Sequence, residues 1–204
     1  MASPSNPLIY LASASPRRSA LLAQIELPHR VRPVDIDETE HDDETPADYV
    51  VRLAQAKAEA LWTQLPDGER LPVLGSDTTV ALGDDILGKP ADREAGFAML
   101  RRLSGRTHQV YTGVALRSAQ GLQSRLSVSD VTFRALNDAE IESYWSTGEP
   151  ADKAGGYAVQ GRAAVFIERI SGSYSGIVGL PLFETAALLA SIGWNPSMSA
   201  GAAR

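Results

Sequence analysis

Apolar and polar positions follow two different periods along the first third of the chain. A short apolar run from Leu8 to Ser13 predicts a buried strand, and the helical spacing after it predicts a helix from Pro16 to about Ile25. Alternating positions from His29 to Val34 predict a second strand. Thr45 followed by a proline is typical of a helix start, so a long helix is predicted from Pro46 to Gln64.

The rest of the chain is richer in strands joined by tight turns. Strands are predicted over residues 71–82, 86–87, 108–117 and 122–136, with one or two more between 155 and 169. Helices are predicted from a cap at Asp92 to Ser104-Gly105, from a capping box at Asn137 to Trp145, and from Pro181 to Ile192. Early strand–helix alternation followed by hairpins predicts an α/β fold with a mixed, twisted sheet and flanking helices.

Composition places the chain among ordinary globular proteins. Its 204 residues are 44% hydrophobic and 22% charged, which predicts one large domain or two intimate lobes. The chain has no cysteine, so disulfides, zinc–thiolate sites and thiol catalysis are excluded. No apolar run approaches the roughly 20 residues that span a membrane, and the first residues lack signal-peptide features. We therefore expect a cytoplasmic protein without a membrane partner.

The two ends of the chain differ from the middle. Residues 1–7 and the small, polar stretch 194–204 are predicted to be disordered, leaving a single domain over residues 8–193. The net charge of −6 argues against binding to polymeric nucleic acid, which requires a basic surface. A small anionic ligand needs only a local cationic pocket, so it stays compatible with this charge.

The stretch LASASPRRSALL, residues 11–22, places two cations where a helix begins. With Ser15 as N-cap and Pro16 as the first helical residue, Arg17 and Arg18 fall in the first turn. Cations there are unfavourable by about 0.3–1 kcal/mol each, because the helix dipole is already positive. A bound phosphate would reverse this sign. The alternative is a pair of solvated arginines whose small penalty is tolerated.

Carboxylates occur at two positions that could face a ligand. Glu38 follows the second predicted strand within the acidic segment from Asp35 to Glu44, and Asp77 interrupts an apolar strand between hydroxyl residues. Carboxylate oxygens suit hard cations such as Mg²⁺, and a buried charge is costly unless it is paired. The alternatives are a solvated acidic loop and an aspartate at an exposed strand edge.

Three further polar residues have weaker local signals. Lys57 lies between two alanines on the long predicted helix, which on its own indicates a solvated face. Lys89 ends a near match to a phosphate-binding P-loop, but Pro90 removes the hydroxyl that this motif needs. Gln160 lies in a glycine-framed segment, Gly155–Gly161, that we interpret as a strand, where its amide could bind a base edge or the glycines could mark a bend.

Seven segments taken together resemble the Maf family of nucleoside triphosphate pyrophosphatases. In chain order they are LASASPRR, VRLAQAKA, GSDTTV, LGKP, LSGRTHQVYTGVAL, DKAGGYAVQG and GSYSGIVGLPL, and the resemblance runs from about Leu8 to Ile192. It implies a mixed α/β fold similar to inosine triphosphate pyrophosphatases, with two lobes around a cleft. It also implies hydrolysis of a nucleoside triphosphate to monophosphate and pyrophosphate with a divalent cation, Mg²⁺ or Mn²⁺.

The resemblance assigns roles to individual residues of this chain. Asp77 falls at the catalytic acid position of the family. Arg17, Thr78 and Gln160 fall at positions associated with substrate choice, and this combination resembles the dTTP/UTP branch. The residues that match the polar pocket are Ser13, Arg18, Glu38, Lys57 and Lys89. The family also suggests a homodimer.

These residues together predict a mechanism. The start of the first helix, with Arg17, Arg18, Lys57 and Lys89, would neutralise a triphosphate, while Glu38 and Asp77 would hold the cation. Asp77 would orient or deprotonate the attacking water. The alternative function is a non-catalytic nucleotide-binding regulator, for instance of cell division. Retention of both carboxylates favours the enzyme, since a pure polyanion binder gains little from acids beside phosphates.

Overall fold

The computed structural model describes residues 8–195. The predicted disorder of residues 1–7 and of most of the C-terminal tail lies outside the described residues. Trp194, which the sequence assigned to the tail, is buried, and its backbone N–H donates to the Leu189 carbonyl at 3.1 Å.

Regular elements occupy most of the described chain. The strands are β1 Ile9–Leu11, β2 His29–Val31, β3 Val73–Leu82, β4 Asp85–Leu87, β5 Thr107–Ser118, β6 Gly121–Phe133 and β7 Ile167–Ser171. The α-helices are α1 Pro16–Gln24, α2 Pro46–Gln64, α3 Arg93–Leu103, α4 Asp138–Trp145, α5 Tyr174–Val178 and α6 Leu182–Ala190. Short 3₁₀ helices cover Asp67–Glu69, Glu149–Asp152, Ala154–Gly156 and Arg162–Phe166.

The strands form one mixed sheet, as predicted. Its order is β2-β1-β3-β5-β6-β7, with β4 paired to β3 off this path. β1 is parallel to both β2 and β3, whereas the β3–β4 and β6–β7 pairs are antiparallel. Parallel strands need a crossover connection, and α1 and α2 supply it. The mixed α/β fold with flanking helices is therefore confirmed.

The chain divides into two compact units, of which the first carries α1 and α2. It comprises the described residues up to Asp77, Thr112–Leu126 and the described residues from Gly179 onward. Burial of the apolar face of α2 against β1 and β3 builds its core. The buried cluster there is Tyr10, Ala12, Ala54, Ala58, Leu61, Leu65, Val73 and Ala115.

The second unit has an aromatic core. It comprises Thr78–Tyr111 and Ser127–Val178. Phe133 and Tyr157 pack edge-to-face with their ring centroids 4.9 Å apart, and Tyr144 meets Phe166 in the same manner at 5.3 Å. His108 is fully buried in this cluster, with its ring 5.1 Å from that of Phe133. The LSGRTHQVYTGVAL segment therefore supplies core packing as well as strand β5.

Two glycines let α2 lie unusually close to the sheet. A methyl group at Gly75 on β3 would overlap the carbonyl oxygen of Ala54 and lie 2.8 Å from the Ala58 nitrogen. A methyl group at Gly113 on β5 would meet the backbone of Val50 in the same way. The helix backbone thus touches the strand backbone, which sets how far a side chain on α2 must reach to contact β3.

Gly75→Ala is expected to destabilise the protein by about 1–3 kcal/mol, the usual cost of overpacking a close-packed site. The clashing atoms belong to the helix backbone and cannot rotate away. The free energy of unfolding measured in urea tests this. Gly68→Ala is the matched control because nothing lies within 4 Å of a methyl group there, and it should cost nothing. Equal stability of the two variants would contradict the close approach.

Among the described residues, the helices are too short or too polar to cross a lipid bilayer.

Candidate active site

The turn between β1 and α1 holds its serine and arginine side chains together. Ser15 is the N-cap residue and Pro16 occupies the first helical position, as predicted. Ser13 Oγ accepts hydrogen bonds from the Ser15 backbone N–H at 3.2 Å and from Arg18 Nη1 at 3.0 Å. These hydrogen bonds tie the end of the β1 segment to the first turn of α1.

Arg18 is anchored at a second point. Its Nε donates to the Gly179 carbonyl at 2.8 Å. Burial lowers the pKa of this guanidinium, and the nearby carboxylate of Asp77 raises it in opposition. An arginine nevertheless keeps its charge in proteins. Arg18 is thus a partly buried positive charge at a helix N-terminus rather than one of two solvated arginines. Arg17, its neighbour in the first turn, is half-buried.

Lys57 joins the two predicted carboxylates. Its Nζ lies 2.7 Å from Asp77 Oδ1 and 2.6 Å from Glu38 Oε1. The Lys57 and Asp77 side chains are each 11% exposed, whereas that of Glu38 is 55% exposed. The solvated helix face that the flanking alanines indicated for Lys57 is wrong. The close approach of α2 at Gly75 allows this lysine to reach into the sheet.

Asp77 lies within β3 and is buried, so the exposed strand edge considered for it is also wrong. Burial raises the pKa of its carboxyl above the usual value, although Lys57 and Arg18 both act to lower it. A buried charge with two cationic neighbours is compensated but not fully solvated. A carboxylate in this state accepts protons more readily than one in water.

The Glu38 and Asp77 carboxylates fit a divalent cation whose remaining ligands are oxygen atoms of substrate and water. Glu38 and Asp77 both approach the same ammonium, so their oxygens converge on one small region. Mg²⁺ is typically bound by one or two carboxylates together with substrate phosphates and water. Groups of three or more His, Cys, Asp or Glu side chains that could hold a metal do not occur among residues 8–195, so a cation here would take most of its ligands from substrate and water.

Three predicted residues belong to the second unit. Thr78 follows Asp77 on β3 and is half-buried, whereas Lys89 and Gln160 are exposed. The segments that carry the last two are joined, because the Gly155 backbone N–H donates to the Gly88 carbonyl at 3.1 Å.

The strand predicted for Gly155–Gly161 is wrong. Gly155 and Gly156 have φ angles of 67° and 69°, in the left-handed region that glycine adopts without strain and that a strand excludes. Residues Ala154–Gly156 form a 3₁₀ turn, and Gln160 lies in the bend before the next one at Arg162. Gly155 therefore belongs to a turn, and it also allows a close approach, because a methyl group there would lie 3.0 Å from the Val80 side chain.

Sequence reasoning gave no role to Ser76. This residue is fully buried, and its hydroxyl lies 2.9 Å from the Gly113 carbonyl and 3.0 Å from the Gly179 carbonyl. The Gly179 carbonyl also accepts a hydrogen bond from Arg18. Ser76 therefore links the strand of Asp77 to the start of α1 with Arg17 and Arg18, which we call the cationic corner. The only sequence signal was a small polar residue inside a buried strand.

The fold and these side chains define a class of protein. It is an α/β protein in which the positively charged side chains of Arg18 and Lys57 lie beside two carboxylates. A family model described as Maf-like protein matches residues 8–192, and the chain belongs to the Maf family. A dTTP/UTP pyrophosphatase of Alkalilimnicola ehrlichii is 56% identical over 186 residues, covering 90% of this chain and 92% of that protein. A dTTP/UTP pyrophosphatase of Hahella chejuensis is 50% identical over 190 residues, covering 93% and 94%.

A solved structure, that of the Staphylococcus aureus Ham1 protein, aligns with 61% of this chain and 71% of its own, at 15% identity and a TM-score of 0.43.

Proposed function

We propose that this protein hydrolyses nucleoside triphosphates to the monophosphate and pyrophosphate, with dTTP and UTP as favoured substrates. The observation that carries the proposal is the Lys57 ammonium held between Glu38 and the buried Asp77. Close relatives over nine-tenths of the chain that are dTTP/UTP pyrophosphatases support the same activity and substrates.

The cationic corner at the start of α1 is proposed to bind the phosphates. Backbone N–H groups at a helix N-terminus favour anions, and Arg17 and Arg18 add positive charge beside them. Arg18 is already oriented by Ser13 and Gly179, so little conformational entropy is lost when a phosphate arrives. Lys57 and Lys89 are proposed to supply further charge, and Thr78 and Gln160 are proposed to contact the nucleotide, as the family motif implies.

The chemical step is proposed to be attack of water on the α-phosphorus. A bond forms between the water oxygen and that phosphorus, the bond from phosphorus to the bridging oxygen of the β-phosphate breaks, and pyrophosphate leaves. Asp77 accepts the proton of the water, for which its raised pKa suits it. Arg18 and Lys57 stabilise the charge that develops on the departing group. A divalent cation held by Glu38 and Asp77, Mg²⁺ or Mn²⁺, would supply further neutralisation of phosphate charge.

The setting proposed for this activity follows from its substrate. A free nucleotide is a small molecule of the cytoplasm, and the net charge of −6 disfavours polymeric nucleic acid as a competing ligand. We propose a homodimer on the family resemblance alone. The alternative of a non-catalytic regulator has no observation in its favour, since the two carboxylates would weaken simple binding of a polyanion.

The test is a panel of nucleotides given to the purified protein with Mg²⁺, with Mn²⁺ and with a chelator. We expect equal amounts of monophosphate and pyrophosphate, faster release from dTTP and UTP than from CTP, ATP or GTP, and none with the chelator. Hydrolysis in ¹⁸O-labelled water should label the monophosphate, because the α-phosphorus is attacked. Label in the pyrophosphate, release of orthophosphate, or nucleotide binding without turnover would each overturn the proposal.

A further inference from the structure

The acidic segment between β2 and α2 carries Glu38 without any regular structure of its own. Between Val31 at the end of β2 and Pro46 at the start of α2 the chain has neither helix nor strand. A loop of this kind does not by itself fix a side chain. The Lys57 ammonium contacts the Glu38 carboxylate directly, and the backbone that carries Glu38 is held by contacts that the loop makes elsewhere.

Arg52, on the second turn of α2, makes the strongest of these contacts. Its Nε lies 2.5 Å from Glu44 Oε1 and its Nη2 lies 2.6 Å from Glu44 Oε2, a two-pronged ion pair. The same Nη2 donates to the Thr39 carbonyl at 3.0 Å. One guanidinium thus holds the loop at its far end and at the residue that follows Glu38.

Tyr49 completes the arrangement one turn earlier on the helix. Its hydroxyl donates to the Glu38 carbonyl at 3.0 Å, and its ring lies 5.5 Å from the Arg52 guanidinium carbon. Asp37 Oδ1 accepts from the Thr39 N–H at 2.9 Å and tightens the backbone around Glu38.

We propose that Arg52, acting with Glu44 and Tyr49, is a positioning residue that clamps the loop so that the Glu38 carboxylate meets Lys57. The proposal rests on the proposed function, in which Glu38 helps to hold a divalent cation. All three residues contact the loop backbone, and Arg52 contacts both Glu44 and the Tyr49 ring, so their part in the reaction is indirect.

Helix α2 connects this clamp to the lysine of the candidate site. Arg52 and Lys57 are five residues apart on the same α2, whose backbone is packed against the sheet at Gly75. Attachment of the loop to Arg52 therefore holds the Glu38 carboxylate close to the Lys57 ammonium that it contacts. The Arg52 guanidinium also lowers the pKa of Glu44 to about 2, so the pair stays charged throughout the neutral range.

The variants separate the parts of the clamp. Arg52→Gln removes the ion pair, Arg52→Lys keeps the charge but loses the two-pronged geometry, and Tyr49→Phe removes one hydrogen bond. Arg70→Gln is the matched control. Arg70 also pairs with a carboxylate, Asp67, donates to a backbone carbonyl and stacks on a ring, that of Trp62, but contacts no part of the Glu38 loop.

Two measurements need no turnover. Hydrogen–deuterium exchange should show the amides of residues 36–45 exchanging about tenfold faster or more in Arg52→Gln than in the unmodified protein, because charged hydrogen bonds that hold the loop are lost. Mn²⁺ binding, followed by electron paramagnetic resonance, should weaken by about 10- to 100-fold, the usual effect of removing a residue that orients a ligand. Tyr49→Phe should weaken it by about two- to tenfold.

Kinetics then connect the clamp to the reaction. The Mn²⁺ concentration for half-maximal pyrophosphate release should rise in the order Tyr49→Phe, Arg52→Lys, Arg52→Gln, while Arg70→Gln keeps the unmodified value. Loop exchange and Mn²⁺ affinity in Arg52→Gln equal to those of Arg70→Gln would overturn the clamp. If the unmodified protein releases no pyrophosphate, the proposed function fails, and exchange and Mn²⁺ binding still decide on the clamp.

Discussion

Asp77→Asn is expected to reduce kcat for pyrophosphate release from dTTP by about 10²- to 10⁴-fold, the range that a positioned general base contributes. The amide has the shape of the carboxylate, and its oxygen can still accept a hydrogen bond from Lys57 Nζ. In the unmodified protein this nitrogen lies 2.7 Å from Asp77 Oδ1. It cannot accept a proton from water at neutral pH. The fold should therefore survive while the chemical step slows.

The measurement is steady-state turnover together with nucleotide affinity by calorimetry. We expect dTTP to bind the Asp77→Asn protein within a fewfold of normal, because the cationic corner around Arg18 is untouched. Asp85→Asn is the control, since this aspartate also pairs with a cation, Arg102, but its side chain is 70% exposed. Turnover of Asp77→Asn close to that of Asp85→Asn would remove Asp77 from the reaction.

Local signals predicted the helices well because their starts are encoded within a few residues. Thr45 accepts from the Asp48 N–H and α2 runs over the predicted residues Pro46–Gln64. The capping box at Asn137 is present with both of its hydrogen bonds. Strand ends were less accurate: β1 and β2 are three residues each, because pairing with a neighbouring strand decides where a strand stops.

The errors fall where distant parts of the chain meet. Lys57 could not be assigned to the interior from its alanine neighbours, because its partners Asp77 and Glu38 lie on other elements. The role of Arg52 depends on a loop eight to thirteen residues away, and that of Ser76 on carbonyls further still. Family motifs pointed to the region of the site, while contacts between elements supplied its geometry.

The aromatic core of the second unit should make stability depend on pH. The Nε2 atom of His108 lies 2.8 Å from the Tyr157 hydroxyl, whereas Nδ1 is buried and has no hydrogen-bond partner among the described residues. Burial lowers the pKa of His108 from 6.5 to about 4, with a small opposing effect of Asp130. Protonation would place a charge in this core, so the folded protein resists it.

The direction of the effect follows from proton counting. Between pH 4 and 6.5 the unfolded chain binds a proton at His108 that the folded protein does not, so the contribution is complete above pH 6.5 and is lost as the pH falls. A lowering from 6.5 to about 4 corresponds to about 3 kcal/mol in total, of which about 2 kcal/mol is lost by pH 5.

When the pH is lowered from 7.5 to 5, the free energy of unfolding should fall by about 2 kcal/mol less in His108→Gln than in the unmodified protein, because glutamine does not titrate. Urea unfolding at both pH values gives this difference directly, and carboxylates elsewhere contribute equally to both proteins. His41→Gln, at an exposed position, controls for the loss of a histidine as such. A pH dependence of His108→Gln equal to that of the unmodified protein would mean that the core does not keep His108 neutral.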